Sequence, residues 1–184
     1  MNESLLAGRY AKALLAYADE VGEADALYPI LLRLGRTLRR NYGAEMVVSN
    51  PTLSEQMRCN FVVALAGEKP PVSLERFVRL VFDHNREQLL GEMARAYTKL
   101  YRQSRGITHA KVTATHKMES EALERLKEII RNRRGGDVEL EEEIDPELLG
   151  GFVLHIEGEV LDASAKGQIE RIRQQFIVRN RSIV

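Results

Sequence analysis

From the N-terminus to about Ser104 the apolar residues of this chain recur every three or four positions, in segments separated by glycine, proline and asparagine. The spacing predicts a first helix over Ser4 to Val21, with Leu6, Tyr10, Ala13, Leu14, Tyr17 and Val21 on one stripe and Gly22 as its stop. A second covers Ala26 to Arg40 through Ile30, Leu31, Leu34 and Leu38, with Pro29 in the first turn, where a missing N–H is tolerated. A short turn of helix over Ala44 to Val48 must end before Asn50-Pro51, because the residue ahead of proline is pushed to an extended conformation. Thr52 and Glu55 have capping-box spacing ahead of Met57, Phe61, Val62 and Leu65. Ser73 is placed to cap a fifth helix holding Leu74, Phe77, Val78, Val81 and Phe82, and a sixth carries Leu89, Met93, Tyr97, Leu100 and Tyr101 up to Gly106.

Beyond Gly106 the period changes from 3.6 to 2, which puts a domain boundary near Arg105. Ala110, Val112 and Ala114 alternate with Lys111, Thr113 and Thr115 as in a half-buried strand. Ser120 to Arg133 returns to a helical period, Gly135-Gly136 closes it, and Val138 to Ile144 forms a second strand. Asp145-Pro146 starts a turn, Phe152 to Ile156 and Val160 to Ala163 make a hairpin around Gly158, and a closing helix begins at Ser164. The predicted fold is mixed and mainly α: a six-helix bundle over residues 1–105, then a small α+β domain over 106–184 in the order strand, helix, strand, hairpin, helix.

Composition narrows the function classes. Hydrophobic residues make up 44% and charged residues 29% of 184, ordinary globular usage that argues against disorder. The 27 basic and 27 acidic side chains cancel, so no net field favours nucleic acid or an anionic membrane, and partners are to be recognised by shape and local chemistry. A single cysteine, Cys59, rules out an internal disulfide and fits a reducing cytosol. No run reaches the roughly 18 apolar residues of a membrane span, and no leader pattern precedes the first helix, so a cytoplasmic protein without membrane insertion is expected.

Catalytic and cofactor chemistry finds little support. His84, His109, His116 and His155 lack metal-ligand spacing, and neither Gly135-Gly136 nor Gly150-Gly151 belongs to a phosphate loop. Cys59 has no histidine nearby in sequence and reads as buried filler. Glu139, Glu141, Glu142 and Glu143 read as a solvated strand edge, and Arg131, Arg133 and Arg134 as cations complementing a helix C-terminus. No enzyme, cofactor, nucleotide or metal is expected. An RNA-binding or antitermination module is the rival class; it requires a basic sheet face with stacking aromatics, and Phe152 is the only aromatic in the predicted strands.

Three stretches carry a family resemblance. Ile144-Asp-Pro-Glu-Leu-Leu-Gly-Gly-Phe-Val-Leu154, followed by Glu159-Val-Leu-Asp-Ala-Ser-Ala-Lys-Gly-Gln-Ile169, resembles the C-terminal pattern of the delta subunit of F-type ATP synthases, called the oligomycin-sensitivity-conferring protein in mitochondria. Arg105-Gly-Ile-Thr-His-Ala-Lys-Val-Thr-Ala114 is similar to the strand that follows the family's helical domain, and Arg9-Tyr-Ala-Lys-Ala-Leu14 resembles its first-helix motif. Ala163 stands where the family carries a glycine. The resemblance implies a non-catalytic stator connector, monomeric when free and present once per complex, peripheral on the inner face of the cell membrane. It also implies that the first domain binds N-terminal helices of the alpha subunits of the headpiece, with Tyr10, Ala13 and Leu80 at the matching positions. An equally weighted reading makes those three residues part of the bundle core. The second domain is implied to grip the peripheral-stalk b subunits, whereas Asp145, Gly150, Gly151, Asp162 and Ser164 are turn residues of the motif rather than contacts.

Overall fold

In the computed structural model, which describes residues 3–67 and 69–170, the helical periods become α1 (Glu3–Glu20), α2 (Ala24–Arg40), α3 (Tyr42–Ser49), α4 (Glu55–Ala66), α5 (Val72–Asp83) and α6 (Leu90–Arg105). The strands are β1 (Ile107–Ala114), β2 (Asp137–Ile144), β3 (Phe152–Ile156) and β4 (Glu159–Asp162), with α7 (Ser120–Arg134) between β1 and β2. The protein is thus mainly helical with a small four-stranded sheet. It divides into two compact units, Met1–Ser104 and Arg105–Val184. The closing helix is present at 165–170; its predicted continuation lies outside the described residues.

In the first unit a tyrosine ladder joins α2 to α6. Tyr28 stacks on Tyr101 at 4.3 Å, Tyr97 donates to the Ala24 carbonyl at 3.2 Å, and Tyr101 donates to Asp25 Oδ1 at 2.9 Å. Buried rings thereby keep their hydroxyls paired. Arg58 of α4 bridges Glu87 at 2.7 Å, donates to the Val48 carbonyl at 3.2 Å and lies 5.1 Å over the Phe82 ring. One guanidinium therefore ties the end of α3 and the end of α5 to α4.

Several local expectations need correction. Ser54, not Thr52, caps α4 by accepting from the Met57 N–H at 3.3 Å, while Thr52 turns back on Asn50 Oδ1 through its N–H and hydroxyl. Asn50 competes for the Thr52 hydroxyl, a local side-chain interaction that removes it from capping. Ser73 lies inside α5. The donors at the start of that helix go instead to Glu23, from the α1–α2 turn: Val72 N–H at 3.4 Å and Ser73 N–H at 2.8 Å. Pro29 sits in the second turn of α2, because the helix begins at Ala24 rather than Ala26.

The second unit forms a sheet in the order β2-β1-β3-β4, with β1 and β2 parallel and the other pairs antiparallel. Alternation along β1 sends Ala110 and Val112 inward, where they meet Leu154 of β3 and Leu126 and Ile130 of α7. Glu157 and Gly158, both at positive φ, close the β3–β4 hairpin in the two-residue geometry that favours such backbones.

Candidate functional site

The stripe named for α1 is not the face that enters the core. Ala7, Ala11, Leu14 and Ala18 are buried, whereas Ala13 is exposed, Tyr10 and Tyr17 are half-buried, and Val21 is 44% exposed. Small alanines let α1 approach its neighbours closely, which leaves the larger apolar side chains beside them facing out. On α5 the buried residues are Ser73, Leu74, Phe77, Val78, Val81 and Phe82, and Leu80 is left 46% exposed. Of the first helix's stripe, Leu14 alone belongs to both faces.

These side chains converge. Tyr10, Ala13, Leu14 and Tyr17 from α1, with Ser73, Phe77 and Leu80 from α5, line a groove of about 570 Å³ that Arg9 and Arg76 border. Leu14 and Phe77 form its buried floor. The helices run in opposite directions: Arg76, early in α5, donates to the Tyr17 hydroxyl at 2.5 Å, while Tyr10, two turns earlier on α1, faces Arg86 just past α5 at 5.9 Å. The Glu23 carboxylate fixes the start of the α5 wall. The Ser73 side chain beside it, then the Ser73 and Val72 N–H groups, hold its carboxyl below the ordinary glutamate range. The structure therefore gathers Tyr10, Ala13 and Leu80 on one surface groove. Sequence reasoning missed Arg76, Tyr17 and Phe77 as co-lining residues, although the spacing of 73, 77 and 80 along one helix face carried that signal.

The motif residues of the second unit form a separate, connected turn. Asp145 accepts from the Glu147 N–H at 3.0 Å, and Asp162 Oδ1 accepts from the Ser164 N–H at 2.9 Å and hydroxyl at 2.6 Å. Ser164 Oγ in turn accepts from the Gly167 N–H at 3.0 Å, capping the helix at 165–170. Gly151 has φ +72, and a Cβ there would lie 2.3 Å from the Ala163 carbonyl oxygen. Gly150 has φ +138 and its carbonyl accepts from Ala165 at 2.9 Å. Ala163 is not among the positive-φ residues, so this turn does not require the family's glycine there.

The remaining candidates keep structural roles. Glu141 and Glu143 meet His109 and Lys111 of β1 across the outer sheet face, and Glu142, on the opposite face, accepts from the Met118 N–H at 2.6 Å. The acidic run is thus partly paired within the sheet instead of wholly solvated. Phe152 packs against the inner core, so no strand aromatic among the described residues forms a stacking platform for RNA. Cys59 is half-buried, and desolvation, followed by the nearby Glu55 charge, pushes its thiol pKa up, against a nucleophilic role. No described group of His, Cys, Asp and Glu has metal-site geometry, and no described helix is long and apolar enough to cross a membrane.

An apolar trough bordered by two arginines offers a surface for binding a partner by shape. A family model described as ATP synthase delta (OSCP) subunit matches residues 6–176. The chain is 38% identical over 177 residues to ATP synthase subunit delta of Phocaeicola vulgatus, covering 96% of each protein. It is 36% identical over 186 residues to the subunit delta of Bacteroides fragilis, covering the whole of both. In fold it is similar to a chain of the cryo-EM structure of the Toxoplasma gondii mitochondrial ATP synthase hexamer, with a TM-score of 0.71 at 20% identity, covering 94% of this chain and 97% of that one. The chain belongs to the ATP synthase delta (OSCP) subunit family.

Proposed function

We propose that this protein is the non-catalytic stator connector of an F-type ATP synthase, linking the alpha/beta headpiece to the peripheral-stalk b subunits against rotor torque. The first unit, taken as a six-helix bundle over 1–105, receives an amphipathic N-terminal helix of an alpha subunit in the α1/α5 groove. The second unit, 106–184, holds the stalk. The protein is monomeric when free, enters each complex once, and lies on the inner face of the cell membrane through that complex. The carrying observation is that Tyr10, Ala13 and Leu80 line one exposed apolar groove. A helix laid in a groove needs such a trough, with a small residue where the partner backbone passes and rings at the sides.

Titration of the full chain with a peptide covering the alpha-subunit N-terminus from the same genome tests this. One-to-one saturable binding is expected, weakened about tenfold or more by Tyr10→Ala and abolished by Ala13→Asp, which places a charge against the apolar floor. A folded wild-type protein that does not bind the peptide refutes the assignment of the groove.

A further inference from the structure

We infer that the α1/α5 groove selects a helix with carboxylates about two turns apart beside its apolar stripe, one recognised by Arg9 and the other by Arg76. This rests on the groove reading above and specifies the chemistry of its occupant. Arg9 and Arg76 are the charged residues that line the groove, and both are positive. They stand at opposite ends. Arg9 adjoins Tyr10, whose ring also lies 5.9 Å from the Arg86 guanidinium, so this end has a second cation close by. Arg76 is held at the other end by its hydrogen bond to the Tyr17 hydroxyl and by the ring itself, 5.8 Å from the guanidinium carbon.

That anchoring makes Arg76 a preorganised reader. The bond to Tyr17 engages one of the guanidinium's five N–H donors, leaving the other donors of this planar group free to face an occupant beside an apolar wall. Glu23 also lies close enough to feel the Arg76 charge, but its oxygens already accept the Val72 and Ser73 N–H groups. An occupant with a neutral or basic flank would cover these cations without matching them, whereas a carboxylate forms a charge-assisted bidentate pair in partial shelter from water. The spacing follows from α1: the eight residues from Arg9 to Tyr17 rise about 12 Å, slightly more than two helical turns. A docked helix therefore presents its two acids at about seven residues' separation.

The test uses the full chain and three helical peptides sharing one apolar stripe, with Glu, Gln or Lys at two positions seven residues apart. Calorimetric titration at low salt is expected to rank them Glu, Gln, Lys, with up to about fivefold in affinity per position. The Glu preference, read as the ratio of Glu-peptide to Gln-peptide affinity within each protein, should shrink in high salt and vanish in Arg9→Gln/Arg76→Gln. Equal affinity for the Glu and Gln peptides, with both still sensitive to Tyr10→Ala, overturns the charge inference and leaves the groove reading standing. Failure of all three peptides and of the alpha-subunit peptide overturns the groove reading, and this inference with it.

Discussion

Gly151 is a position where one added carbon has a readable cost. Its φ of +72 disfavours any L side chain, and the Cβ would meet the Ala163 carbonyl oxygen at 2.3 Å, a backbone atom that cannot rotate away. Gly151→Ala is expected to destabilise the second unit by about 2–4 kcal/mol, from backbone strain and steric displacement together. Ala163→Gly supplies the contrast. Alanine there already adopts an unstrained φ, so the family's glycine should bring no gain and cost about 0.5–1 kcal/mol through the freer unfolded chain. Urea unfolding of both variants checks the pair. A larger loss for Ala163→Gly than for Gly151→Ala would contradict the turn geometry described. The doubled glycine was visible in the sequence as a turn, but which neighbour it had to admit was not, because the Ala163 carbonyl arrives from the far side of a hairpin.

At the scale of elements, α5 shows how a helix can be capped from outside its own sequence. Glu23 lies 50 positions before Ser73, the donor it accepts from at 2.8 Å. Hydrogen bonding in the folded protein lowers the Glu23 pKa, so its stabilisation is full above the ordinary glutamate range and is lost as pH falls through the lower folded value. Glu23→Gln is therefore expected to lower the urea midpoint at pH 7, and the gap from wild type should close on acidification through that folded value. A gap that is constant with pH would remove the carboxylate charge from the explanation. Elements whose signal is local were legible in sequence: α7 and β1 follow directly from the switch in period. Ser73 was misassigned as a cap because polarity at a helix start predicts only that a donor needs a partner, not which chain segment supplies it. The α1 stripe likewise named the larger apolar residues, while close packing selected the alanines beside them.

For the whole molecule, the candidate site was legible only through the motif around Arg9-Tyr10 and the resemblance it carried. Hydropathy alone assigns Tyr10, Ala13 and Leu80 equally well to a core, and it takes the burial of Ala7, Ala11 and Ala18 to turn them outward. Two cores also imply that damage to one unit need not reach the groove in the other. Ile130 is 2% exposed and packs with Ala110, Val112, Leu126 and Leu154, all of the second unit. Ile130→Ala is expected to cost about 2–5 kcal/mol there by lost burial and a residual cavity. Hydrogen exchange should then show amides of β1, α7 and β3 losing protection while those of α2 and α6, held by the tyrosine ladder, keep theirs. Affinity for a helical peptide in the α1/α5 groove should be unchanged in the same variant, since none of the groove's lining residues belongs to the second unit. Protection lost equally from both units would mean that they unfold as one cooperative body, and the division into two independent cores would not hold.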